Sequence, residues 1–170
     1  MSTPQQSSFT AKLYTYLPIL EKVAIAIFAL GLILRYMNVN GDTLIQISLS
    51  TLAAVFFLSA YKPVTIESEE GEKLGFKDLL GQTILPKLLG ISCAVGIIGI
   101  QFYMLGLKGF EVMVMMGGIV TLMALVVMGG LYAIGTKNLE SAFPMVLRAI
   151  PIMIFNIYVF IQHGGLETFK

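Results

Sequence analysis

The chain is expected to fold as an all-α integral membrane protein: a bundle of five transmembrane helices, with four as the fallback. Three observations carry that expectation. Of the 170 residues, 56% are hydrophobic and only 12% charged, about half the charged fraction of a soluble protein. Mean hydropathy is +0.85. Five stretches approach the ~20 mostly apolar residues needed to cross a ~30 Å hydrocarbon core. With so few charges, a water-soluble surface of this size cannot be covered. The net charge of +1 and the lack of a basic run argue against nucleic acid as a partner.

Residues 1–16 read as a polar N-terminal tail. The first span covers about 17–37, from Leu17 to Met37. It is longer than a secretory h-region and leads to Arg35 without a cleavage motif, so it reads as an uncleaved span. The second span is 43–61 and the third 84–107, with a loop at 62–83 between them. The fourth is 112–134. The fifth, 144–162, carries Arg148 and Pro151; if it fails to cross, four spans remain. Pro151 removes a backbone donor and favours a kink. A short tail, 163–170, follows.

Spans one, three and five open alike. Pro18, Pro86 and Pro144 are each followed within four residues by a basic side chain, Lys22, Lys87 and Arg148. Proline suits the first helical turn, and the long basic side chain can reach the interface. A repeat is also visible. Ile19–Gly31 aligns with Ile84–Gly96 at an offset of 65, and Gly41 aligns with Gly109 at an offset of 68. Two repeated hairpins plus one helix would place any symmetry axis along the membrane normal. A chance likeness between apolar hairpins is the plainer explanation.

Five spans put the N-terminus and the loops at 62–83 and 135–143 on one side. That side carries eight of the eleven Lys and Arg residues: Lys12, Lys22, Lys62, Lys73, Lys77, Lys87, Lys137 and Arg148. Arg35, Lys108 and Lys170 lie on the other. The asymmetry predicts a cell inner-membrane, multi-pass protein with its N-terminus in the cytoplasm. The acidic run 65–72, then Phe76, Leu79 and Leu80 at helical spacing, form either a docking segment or a solvated loop with a short interfacial piece.

Chemistry is sparse. Cys93 and His163 are the only cysteine and histidine, so neither a disulfide nor a Cys/His metal site is expected, and no cofactor is implied. Met113, Met115, Met116, Met123 and Met128 read as adaptable packing rather than a copper site. Polar residues within the spans are Gln46, Ser48, Ser50, Thr51, Ser92, Cys93, Gln101, Thr121 and Asn156. No carboxylate is expected deep in a span. Glu21 is placed in the first turn, paired with Lys22 or another interfacial lysine. Proton coupling and enzymatic activity are therefore not expected. Arg148 and Arg35 are candidate lipid-phosphate contacts, with simple interfacial anchoring as the alternative.

Small residues at four-residue spacing mark candidate helix-packing faces. They are Gly90 with Ala94, Ser92 with Gly96, Ser50 with Ala54, and Gly129 with Ala133, together with Gly117-Gly118. They can serve partner subunits or packing within this chain. Leu125, on span four, is expected to face lipid.

One stretch resembles a known family. Gly31-Leu-Ile-Leu-Arg35-Tyr-Met-Asn-Val-Asn-Gly41 and Leu52-Ala-Ala-Val-Phe-Phe-Leu-Ser-Ala-Tyr-Lys-Pro63 resemble the N-terminal transmembrane hairpin of GldL-type proteins. Those are inner-membrane motor subunits of Bacteroidota gliding and type 9 secretion. Arg35 stands at the family's lysine, and Ser59-Ala60-Tyr61-Lys62-Pro63 at its closing motif. The likeness covers about 45 residues. Leu52 occupies the position of the family's motor glutamate, its histidine is missing near Met37 and Asn38, and its long tail has no counterpart. The resemblance implies a non-motor relative in a multi-subunit complex.

The expected function is thus a non-catalytic, polytopic subunit of a larger bacterial inner-membrane complex, with membrane lipids and other membrane proteins as partners. The alternative is a small transporter or lipid-binding protein with a site between the two hairpins.

Overall fold

The computed structural model describes residues 4–62, 79–134 and 142–162, with side chains from Lys12 onward. The acidic run 65–72, Phe76, the 135–141 connection and His163 lie outside the described residues. The described part is all helical: α1 (Pro4–Tyr36), α2 (Asp42–Ala60), α3 (Leu85–Met104), α4 (Phe110–Ala133) and α5 (Phe143–Gln162). A single π turn, Leu80–Ile84, leads into α3. All five helices are long and apolar enough to cross a membrane.

α3 is the axis of the bundle. It packs on α2, α4 and α5, while α1 packs mainly on α2. Within the most apolar stretch of each helix, 56% of α3 is buried, against 22% of α1 and 17% of α5. On α1 the buried positions are Leu17, Glu21, Ala24 and Gly31, a stripe at helical spacing. The rest of its surface carries exposed apolar side chains such as Ile19, Val23, Leu30 and Ile33. Helices that are apolar all round but buried on one stripe suit a hydrocarbon surrounding.

Helix boundaries depart from the apolar boundaries of the sequence. α1 begins at Pro4, not near Leu17. Residues 5–16 are mostly helix-compatible, and a helix can continue beyond its apolar segment. Pro18 therefore lies inside α1 rather than in its first turn. Pro86 is likewise preceded by helical backbone. Its ring would crowd the carbonyl of Gln82 in a regular α-helix. The π turn widens the backbone just there, with the Leu85 N–H donating to the Leu80 carbonyl. Pro86 still stands in the first turn of α3, directly after the π turn, and Pro144 in the first turn of α5. One sequence motif thus occupies three structural settings.

The two hairpin turns also differ. Asn38 takes a left-handed conformation at φ 58° in the first, which asparagine tolerates better than most residues. Gly106 and Gly109 do so in the second, at φ 66° and 90°. Gly41 serves close approach instead. A Cβ there would strike the Gly31 carbonyl, so the glycine pair lets α1 and α2 close at the turn. Gly41 and Gly109, aligned in the sequence repeat, both cap the second helix of their hairpin but differ in conformation, with φ −96° and 90°.

Candidate functional site

The middle of the bundle holds a polar layer on a glycine floor. Half-way along α3, the Ser92 hydroxyl lies 2.9 Å from the Thr121 hydroxyl of α4, and both side chains are buried. Ser92 also donates to the Leu89 carbonyl at 3.2 Å. Cys93, fully buried, is beside this pair. One turn along α3, Gly96 faces Gly117 of α4 so closely that a Cβ on Gly117 would stand 2.5 Å from the Gly96 Cα. One turn further, a Cβ on Gly99 would stand 2.8 Å from the Val114 backbone nitrogen.

Asn156 closes this layer from α5. It is 1% exposed. Its amide nitrogen donates to the Ile152 carbonyl at 2.9 Å, and any Cβ on Gly96 would collide with that same nitrogen. Its Oδ1 is buried with no hydrogen-bond partner among the described residues. An amide in an apolar interior is expensive unless it is paired. Asn156 keeps one of its bonds within its own helix and packs its planar head on a glycine. The arrangement locks three helices in register.

Two further polar contacts tie helices together. Gln101 of α3 donates through Nε2 to the Ser50 hydroxyl at 2.9 Å, near the hairpin end of the bundle. At the opposite end, the Tyr14 hydroxyl donates to the Tyr61 carbonyl at 3.0 Å, which sets α1 against the close of α2.

Glu21 requires a correction. It is not in a first turn, because α1 starts at Pro4. It lies two turns beyond Tyr14, about 10 Å further along the helix. Its partner is not Lys22, which is exposed, but Arg148 of α5, at 3.1 Å. Glu21 is buried while Arg148 is half-exposed.

The candidate lipid-phosphate arginines are both paired within the chain. Arg148 holds Glu21, and Arg35 lies 3.5 Å from Asp42 across the first hairpin turn, with both of those side chains exposed. The candidate packing residues divide. Gly90, Ala94 and Gly96 are buried on α3, where Gly90 approaches Ala60 and the Phe56 carbonyl of α2. Ser50 and Ala54 are exposed on α2, with Ser50 bonded to Gln101. Gly129 and Ala133 point outward, and nothing lies within 4 Å of a Cβ on Gly129. Leu125 is half-buried and does not simply face outward.

Beside Gly129 an apolar groove of about 520 Å³ separates the end of α4 from the start of α5. Leu125, Met128 and Tyr132 form one wall, and Phe143, Val146 and Ile150 the other. No sequence signal marks it, because it arises from the splay of two helices. Among the described residues, no three of His, Cys, Asp and Glu converge as metal ligands would. No protein-family model, curated protein or solved structure matches the chain.

Proposed function

We propose that the protein is a non-catalytic, multi-pass subunit of a larger bacterial inner-membrane assembly, oriented with its N-terminus in the cytoplasm. One observation supports this most. The bundle's interior is closed by backbone contact at Gly96 and Gly117, and its mid-helix hydroxyls bond to each other. Solute passage needs polar groups lining an aqueous path. Here the Ser92 and Thr121 hydroxyls are engaged with each other. The free surface is instead the outer face of the bundle, apolar on α1 and α5 and glycine-bearing on α4. Without a hydrophobic drive in lipid, such faces associate through close van der Waals packing.

The test is purification in mild detergent from membranes at native expression. A stoichiometric hetero-complex that persists through a second detergent supports the subunit role. A monodisperse protein with no other subunit overturns it. A second reading, a lipid-binding protein, draws on the α4–α5 groove. The tight approach of Gly90 to Ala60 in the seam between the two hairpins favours the groove over the seam as its site.

A further inference from the structure

We propose that Arg148, held in place by Glu21, binds the phosphate of an anionic membrane phospholipid, with Lys22 adding charge to the site. The proposal rests on the membrane-spanning reading of the five helices and not on the subunit role.

The depth of Arg148 sets the problem. α5 has 20 residues, about 30 Å of helix, which matches the hydrocarbon core. Arg148 stands five residues in, about 7 Å below the start of that helix. Its side chain is 42% exposed. A guanidinium carries five N–H donors and keeps its charge. Through Nη1 it meets Glu21 at 3.1 Å, and Glu21 is its only partner among the described residues. The remaining donors need acceptors. Hydrocarbon offers none, and leaving charged donors bare there is costly. Helical side chains lean toward the N-terminus of their helix, which for α5 is the nearer membrane surface. The acceptors in that direction are headgroup phosphates and interfacial water. A planar fork matches phosphate oxygens two at a time.

Charge selects an anion over a neutral headgroup. Among the described residues, this end of the bundle carries five cations, Lys12, Lys22, Lys62, Lys87 and Arg148, and one acid, Glu21. Glu21 is buried and offsets only one of them. Lys22, next to it in the chain, is exposed, so the immediate balance is two positive charges to one negative. Glu21 also restrains the fork, so less side-chain freedom is lost when an anion binds. Arg35 is the built-in contrast. It lies in the last turn of α1, and it and its partner Asp42 are 54% and 61% exposed. Water meets its donors there, and no phosphate is required.

The test is native mass spectrometry of the full chain in a neutral detergent, titrated with phosphatidylglycerol or phosphatidylcholine. The wild type should retain one phosphatidylglycerol with about tenfold higher affinity than phosphatidylcholine. Arg148→Gln should weaken phosphatidylglycerol binding by about tenfold or more, the range for hydrogen bonds to a charged group. Arg148→Lys keeps the charge and loses the fork, so it should fall between. Lys22→Gln should cost about two- to fivefold, as an exposed charge does. Arg35→Gln should change nothing.

Equal affinity for the two lipids in the wild type overturns the proposal. So does a phosphatidylglycerol preference that survives Arg148→Gln, or one that Arg35→Gln lowers equally. Displacement of the lipid by millimolar inorganic phosphate overturns it too, because free phosphate is then the ligand. Should Arg148→Gln misfold, the wild-type preference, Arg148→Lys and Lys22→Gln still decide the matter. A chain that stays soluble without detergent removes the membrane premise itself, an outcome separate from any titration result.

Discussion

The Glu21 carboxylate of the first helix and the Arg148 guanidinium of the last meet at 3.1 Å, joining the α1–α2 hairpin directly to α5. The acid is buried and the base half-exposed. Removing one partner of such a pair leaves the other without compensation in a medium of low dielectric. Glu21→Gln and Arg148→Gln should each lower stability in detergent by about 1.5–3 kcal/mol, the range for hydrogen bonds to charged groups. The double variant should lose much less than the two losses combined. Thermal unfolding of all four proteins completes the cycle. Additive losses would mean that the pair does not hold α1 to α5.

The glycine floor gives a second prediction, with an internal control. Gly96→Ala must push aside the Asn156 amide, a displacement of the kind that typically costs about 1–3 kcal/mol. Because the obstacle is a side chain, Asn156→Ala should relieve most of that cost. Gly117→Ala meets the backbone of Gly96 instead, so Asn156→Ala should not rescue it. Gly129→Ala, facing open space, should be near neutral. The same melting assay separates the four cases, and rescue of Gly117→Ala would refute the assignment. Leu125→Ala is a poor inert comparison here because Leu125 lines the groove; Val126→Ala serves better.

The Ser92–Thr121 hydrogen bond at mid-helix is expected to contribute modestly. Interhelical bonds of this type average about 0.6 kcal/mol and reach about 1.7. Ser92→Ala and Thr121→Val should each destabilise within that range, and the second change should add little to the first. Ser92→Ala also removes the bond to the Leu89 carbonyl, so Thr121→Val is the cleaner probe: a loss well above 2 kcal/mol for it would point to a role beyond joining α3 to α4, since it keeps most of the packing.

Much of this architecture is legible in the sequence because helices long and apolar enough to cross a membrane are continuous apolar stretches, which hydropathy reads directly. The five apolar stretches correspond to the five helices. What hydropathy cannot read is where helical backbone stops. Pro4–Tyr16 is polar and still helical, which puts Glu21 well inside α1 rather than in its first turn. Small-residue spacing has a similar blind spot. Gly90-xxx-Ala94 and Gly129-xxx-Ala133 look alike in sequence, yet one is buried against α2 and the other borders an open groove. The motif says that something can approach closely; only the neighbours decide what does. Asn156 is visible as a mid-span amide. That it rests on Gly96 depends on a helix crossing that no local pattern encodes.

Orientation supplies the last prediction. The Tyr14–Tyr61 contact puts the early part of α1 and the end of α2 at one level, and the hairpin turns at 37–41 and 105–109 then lie at the other. Alternation of five helices sends the C-terminal end of α5 to the side of those turns. Pairing of Arg148 with Glu21 and of Arg35 with Asp42 neutralises one basic residue on each side, so the positive-inside asymmetry survives the correction. A reporter active only in the periplasm, fused after Lys170, should therefore be active, and the same reporter placed within 135–141 should be silent. Silence at Lys170 together with activity at 135–141 would invert the whole bundle. Silence at both positions would show that α5 stays on the cytoplasmic side, which would require Arg148 to meet Glu21 without crossing the membrane.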